Sequence, residues 1–176
     1  MKHTLLIKDW LYSFLSLWFP RCCVVCGGSL AKGEECICTM CNINLPRTDY
    51  HLRKDNPVEK LFWGKFPLER ATSFFFYRKG SDFRQVLHQL KYGGQKEIGA
   101  IMGRYMASEL QASDFFHGVD VIIPIPLHKK KQQIRGYNQS EWIARGISAI
   151  TSIPVETSGV VREKNTETQT RKSLFE

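Results

Sequence analysis

Residues 121–140 read VIIPIPLHKKKQQIRGYNQS, and this stretch decides the fold that we expect for the chain. Its β-branched start predicts a buried strand that ends at Pro124 and Pro126. Gly136 permits a tight turn, after which Asn138 or Ser140 can cap a helix. That helix is predicted from apolar residues at helical spacing, namely Trp142, Ile143, Ile147 and Ile150. The stretch therefore predicts a strand, a basic loop and a helix in succession.

The loop within this stretch carries four cations in seven residues, Lys129, Lys130, Lys131 and Arg135. A loop between a strand and a helix N-terminus binds phosphate readily, because free backbone N–H groups and the helix dipole point towards it. A solvated basic loop between two ordinary elements is the other interpretation that the residues alone leave open.

Further apolar runs flank this segment. Residues 71–77 (ATSFFFY) and 159–161 (GVV) are short enough for strands, and two helical stripes lie between them, at 83–90 and 98–110. Strand, helix and strand over residues 119–161 form the repeating unit of a parallel sheet with right-handed crossovers. We therefore predict an α/β domain whose ligand lies at the carboxyl ends of the strands.

Cysteines near the N-terminus form two CxxC pairs, Cys23 with Cys26 and Cys38 with Cys41, separated by 11 residues. Two such knuckles can present four thiolates to one tetrahedral Zn²⁺ ion. Two disulfides are typical of secreted domains, and a redox CxxC would need only one pair. Structural zinc is therefore our prediction, with Cys22 and Cys36 outside the ligand set.

Composition adds two expectations. Lys and Arg number 25 against 17 Asp and Glu, so the net charge of +8 favours an anionic partner such as a phosphorylated metabolite, nucleic acid or a membrane surface. Within residues 1–20, Lys8 and Asp9 interrupt the apolar run that a signal peptide would need, and apolar residues instead share one face of a helix, namely Ile7, Trp10, Leu11, Phe14 and Trp18. We predict a first helix that packs on the protein, no membrane span and a cytoplasmic location.

Four elements of the chain resemble the ComF family in the family's order. They are the cysteine segment 19–41, LKYGG at 90–94, PIPLHKKKQQIRGYNQS at 124–140 and the Arg…Thr…Gln element at 162–169. The resemblance covers nearly all of residues 18–176. It implies a zinc ribbon followed by a Rossmann-like type I phosphoribosyltransferase domain, and an association with competence, which is the uptake of DNA.

The resemblance also implies ligands. Phosphoribosyl pyrophosphate with Mg²⁺ would be the substrate, with single-stranded DNA and other DNA-uptake proteins as possible partners. Its pyrophosphate would lie against a set of eight residues, and three more would belong to a flexible loop. The pyrophosphate set is Lys91, Lys129, Lys130, Lys131, Arg135, Gly136, Asn138 and Gln139; the loop set is Arg162, Thr166 and Gln169.

One part of the family pattern is absent from residues 1–176. The family's paired acids and Thr- and Gly-rich loop, which hold the ribose and its 5′-phosphate, have no match. We therefore expect an incomplete, truncated phosphoribosyltransferase domain at 69–176, inactive as it stands, after a ribbon at 21–45 and a connector at 46–68. No catalytic residue or acceptor substrate is predicted. The alternative is a zinc-ribbon module that binds single-stranded DNA without catalysis.

Overall fold

The structure is a computed structural model that describes residue 18 and residues 20–78 and 80–165. Six α-helices are found in these residues: α1 Thr39–Ile43, α2 Pro57–Lys60, α3 Arg84–Tyr92, α4 Glu97–Leu110, α5 Lys129–Arg135 and α6 Gln139–Thr151. Short 3₁₀ turns lie at Tyr50–Leu52 and Gln111–Ser113. The predicted N-terminal helix falls outside the described residues, apart from the exposed Trp18.

The described residues divide into two compact units. The first combines the described residues up to Thr48 with Phe75–Leu87, and the second combines Asp49–Phe74 with the described residues from His88 onward. Buried apolar side chains of the first unit include Ile37, Leu45 and Val86. Those of the second unit lie mainly on α4.

The prediction of a parallel α/β sheet is wrong. Pairing between extended segments is limited, within the described ranges, to three isolated bridges, of which one is parallel, Ile122 with Val155. Ile122 N donates to Pro154 O at 2.9 Å, and Glu156 N donates to Ile122 O at 3.0 Å. Pro124 and Pro126 have no N–H group, so they cannot extend this pairing as a ladder.

The other predicted strands have no ladder either. Residues 71–77 make one antiparallel bridge, Phe75 with Arg47, and residues 159–161 make none. Val121, Ile123 and Ile125 are exposed, although the β-branched run was predicted to be a buried strand. A Rossmann-like sheet is therefore absent from the part of the chain that the structure describes.

The helix predictions over 83–90, 98–110 and from residue 138 onward are confirmed. Ser81 Oγ accepts a hydrogen bond from Phe83 N at 3.3 Å just before α3. Asn138 is the N-cap of α6, and its side chain accepts from Ser140 N at 3.2 Å. The Asn138 cap satisfies an N–H group that the first turn of a helix leaves without a partner.

Helices α4 and α6 pack together through glycines. A Cβ atom added to Gly146 would overlap the backbone of Ala100, and one added to Gly103 would overlap the carbonyl of Ile143. Gly103 and Gly146 are both buried. Side-chain-free positions therefore let the two backbones touch, and this crossing is the core of the second unit.

Candidate metal centre and basic corner

The four sulfurs of the two CxxC pairs form one cluster. The Sγ atoms of Cys23, Cys26, Cys38 and Cys41 all lie within 4.8 Å of one another, and those of Cys26 and Cys38 are 3.8 Å apart. Four thiolates bound to a tetrahedral zinc ion at about 2.3 Å lie about 3.8 Å from each other. A disulfide needs about 2.05 Å, and all six described cysteines are free thiols. The cluster could therefore bind a metal ion such as zinc.

Local backbone structure explains why the first pair meets the second. Cys23 N donates to Gly28 O at 2.8 Å and Gly27 N donates to Cys23 O at 2.9 Å, which closes a tight turn. Gly27 has φ +72°, a conformation that glycine adopts without strain. This turn is the first knuckle.

The second knuckle is the start of a helix. Cys38 is the N-cap of α1, and its Sγ accepts a hydrogen bond from Cys41 N at 3.4 Å. Cys38 N donates to Cys23 Sγ at 3.3 Å, so one backbone group joins the two knuckles. The cluster closes without Cys22 and Cys36, of which Cys22 is exposed and Cys36 is buried.

Burial, hydrogen bonds and neighbouring thiols shift the pKa values of two cysteines in the cluster. Burial acts to raise the pKa of Cys23, but hydrogen bonds from the backbone of Cys26, Cys38 and Val25 outweigh it and lower that pKa to about 7. The pKa of Cys41 is raised, first by burial and then by the neighbouring thiols. One thiolate is thus favoured, and a second negative charge beside it is opposed. A divalent cation would remove that opposition.

Glu34 supports the cluster, and sequence reasoning missed it. Its carboxylate accepts hydrogen bonds from Ala31 N at 2.7 Å, Thr39 N at 2.6 Å and Thr39 Oγ1 at 2.7 Å. The Thr39 hydroxyl and then the backbone N–H groups lower the pKa of Glu34. The available signal was an acid shortly before a helix, where the helix dipole favours a negative charge.

The predicted basic loop is a helix. Lys129, Lys130, Lys131 and Arg135 all lie on α5, whose N-cap is His128; His128 Nδ1 accepts from Lys130 N at 3.3 Å. Gly136 ends α5 in the left-handed region at φ +78°, and its N–H donates to Gln132 O at 2.7 Å. We call α5, residues 136–139 and the last turn of α3 the basic corner.

Several residues predicted to bind phosphate hold the basic corner together. Arg135 Nη1 donates to Gln139 Oε1 at 2.8 Å, and Asn138 Nδ2 donates to Ile125 O at 3.1 Å. The buried Tyr137 hydroxyl donates to Leu90 O at 2.6 Å. Burial, and then the charge of Glu97, raises the pKa of Tyr137. The turn that joins α5 to α6 is therefore fixed to the end of α3.

Cations outnumber acids at the basic corner. Lys129, Lys130 and Lys91 are exposed, and Arg135 is half-buried with its guanidinium 5.6 Å from the centre of the Tyr92 ring. Residues 88–96 and 121–140 contain six Lys and Arg side chains, five of them in the basic corner, and no carboxylate. Arg162 lies on an exposed segment without helix or strand, whereas Thr166 and Gln169 lie outside the described residues.

The chain is similar to curated proteins named for DNA utilization. Over 168 residues the chain is 26% identical to the DNA utilization protein YhgH of Escherichia coli (strain K12) and of Shigella flexneri, and the match covers 87% of this chain and 71% of each relative. The protein of that name in Salmonella typhimurium is 24% identical over the same length. No family model and no solved structure matches the chain. No helix among the described residues is both long and apolar enough to span a bilayer.

Proposed function

We propose that the chain is a zinc-ribbon protein that acts in DNA utilization by binding DNA at its basic corner. The relatives named for DNA utilization support this role. The four-sulfur cluster supports structural zinc, because its spacing fits a closed tetrahedral site with no open position for catalysis.

The observation that carries DNA binding is the charge of the basic corner. The corner has five cations, Lys91, Lys129, Lys130, Lys131 and Arg135. Residues 88–96 and 121–140 contain no carboxylate, so a polyanion meets no repulsion from these segments. Lys131 and Arg135 are four residues apart on α5 and share one of its faces. Lysine and arginine side chains arranged in this way contact phosphates and release the counterions of DNA. Tyr92 in the same corner is exposed, and an exposed aromatic ring can stack on an unpaired base, so we expect single-stranded DNA to be the form that binds.

The test is the salt dependence of DNA affinity in charge-matched variants. Lys129→Ala with Lys130→Ala removes two exposed cations from the basic corner, and Lys32→Ala with Lys65→Ala removes two exposed cations elsewhere. The logarithm of the affinity falls as the logarithm of the salt concentration rises. For single strands, each lost phosphate contact should make this negative slope shallower by roughly 0.7. We expect the slope to become shallower by roughly 1.4 in the first variant only. Equal slopes in both variants would overturn the proposed interface.

A phosphorylated small molecule is the second candidate, and the same cations favour it. The resemblance implies phosphoribosyl pyrophosphate with Mg²⁺, whose pyrophosphate end would suit Lys129, Lys130 and Arg135. If pyrophosphate binds with micromolar affinity that depends little on salt, and DNA does not bind, the result would favour this candidate over DNA.

A further inference from the structure

Tyr92 is an exposed aromatic ring inside the basic corner. It is the last residue of α3, and 62% of its surface is exposed. Isolated exposed tyrosines are common on proteins, so exposure alone means little. What distinguishes Tyr92 is the group of side chains around its ring.

Two side chains flank the Tyr92 ring. The Arg135 guanidinium lies 5.6 Å from the ring centre, within the range of a cation–π interaction. The His88 ring lies one helical turn earlier, with its centre 5.3 Å away and its plane tilted by 50°. A delocalised cation and two flat rings therefore lie together on the surface.

Two hydrogen bonds to buried residues hold the group in place. Gln139 is buried and accepts from Arg135 at 2.8 Å, and the Tyr137 hydroxyl fixes the end of α3 at Leu90 O. The positions of Arg135 and Tyr92 are thus set before any ligand arrives. A preorganised site loses less conformational entropy on binding.

Further cations that could contact phosphates lie on the same two helices as Tyr92 and Arg135. Lys91 precedes Tyr92 in the chain, and Lys131 shares a face of α5 with Arg135. Stacked aromatic side chains beside a cationic groove are how proteins hold single strands, because every unpaired base offers a π-face and every nucleotide a phosphate. Duplex DNA keeps its bases stacked internally and cannot use such a ring.

We propose that Tyr92 stacks against an unpaired base and makes the basic corner selective for single-stranded DNA. This inference rests on the proposed function and adds to it the residue that distinguishes single-stranded from duplex DNA. Arg135 is assigned two tasks, to hold the ring and to pair with the adjacent phosphate.

The test compares wild type with four variants on oligo(dT) and on a duplex of equal length, by fluorescence anisotropy at fixed salt. Tyr92→Ala and Tyr92→Leu remove the ring, and Tyr92→Phe keeps it. Tyr77→Ala is the matched control, since Tyr77 is 59% exposed and belongs to the other unit. We expect Tyr92→Ala and Tyr92→Leu to bind oligo(dT) about 5- to 100-fold more weakly, with little change for the duplex. Tyr92→Phe and Tyr77→Ala should match wild type, and thermal melts should coincide.

Three results would overturn the inference. One is wild-type affinity for oligo(dT) in Tyr92→Ala, and another is an equal loss on both forms of DNA. The third is the same loss in Tyr92→Phe, which would assign the effect to the hydroxyl. In each case DNA binding by wild type would stand, whereas a wild type that binds neither form would overturn the proposed function as well.

Discussion

Cys38 takes part in two kinds of structure at once. It is the N-cap of α1 and it contributes one of the four sulfurs of the cluster. Serine is also a good N-cap, so Cys38→Ser keeps the cap and removes only the thiolate. This substitution therefore separates the role of the residue in the helix from its role towards a metal.

We expect freshly purified, reduced wild type to hold about one zinc ion per chain, as four thiolate ligands allow. Cys38→Ser should hold far less, measured by metal analysis after gel filtration, because three protein ligands no longer close the tetrahedron. Cys22→Ser should keep its zinc, because Cys22 is exposed and outside the cluster. Zinc-free wild type, or a zinc content unchanged by Cys38→Ser, would contradict the proposed site.

Residue types and spacing were enough to select the cysteines, because a CxxC knuckle is a local structure whose geometry follows from its own few residues. Glu34 could not be selected in the same way. Its value depends on Ala31 and Thr39 both pointing N–H groups at one carboxylate, which only the folded ribbon shows. The same holds for Tyr92, whose neighbour Arg135 is 43 positions away in sequence.

Helix α5 shows how sequence reasoning can miss an element whose signals are present. Lysine, glutamine and arginine are good helix formers, His128 caps the first turn and Gly136 ends the last. The sequence predicts a loop here because the cations follow Pro124 and Pro126 and precede Gly136. Helices α4 and α6 were predicted correctly, since their apolar residues recur with the helical period.

The crossing of α4 and α6 depends on the absence of a side chain at Gly146. In Gly146→Ala the new methyl group would overlap the backbone of Ala100, which cannot move without shifting α4. We expect a loss of stability of about 1–3 kcal/mol, the usual cost of overpacking a core. That cost should lower the melting temperature by several degrees in a calorimetric or circular dichroism scan.

Gly159→Ala is the control for this crossing. A Cβ atom at Gly159 would meet only Glu156 Cγ, at 3.7 Å, which is ordinary contact. Its melting temperature should stay within about a degree of wild type, or rise slightly because alanine restricts the unfolded chain. Equal melting temperatures for the two variants would show that the α4–α6 contact is looser than the structure has it.

The two compact units have separate buried cores, and the sequence predicted their contents unevenly. The prediction of an α/β sheet was wrong because a strand pairs with segments distant in sequence. A β-branched run such as residues 121–125 carries no information about which segments those are. In the structure this run makes one bridge, to Val155, and leaves Val121, Ile123 and Ile125 exposed. Predictions from local signals such as caps, helical stripes and knuckles agree with the structure, because these features need no distant partner.

The ribbon and the α4–α6 crossing should respond differently to loss of metal. Buried residues of the ribbon are few, namely Cys23, Cys36, Ile37 and Leu45, whereas α4 alone has seven buried positions. A segment with so little apolar burial needs the metal to fold, because binding free energy there is folding free energy. The crossing should depend on its own packing instead.

We therefore expect a chelator to unfold residues 21–45 of the whole chain while Glu97–Leu110 and Gln139–Thr151 stay folded. Hydrogen exchange followed by mass spectrometry should show amide exchange in the ribbon rising at least about tenfold, with the two helices nearly unchanged. Adding back zinc should restore the ribbon. Full protection of the ribbon without metal would argue against structural zinc. A simultaneous loss of protection in both helices would mean that the second core cannot stand alone, since its buried side chains would then need the folded ribbon as well.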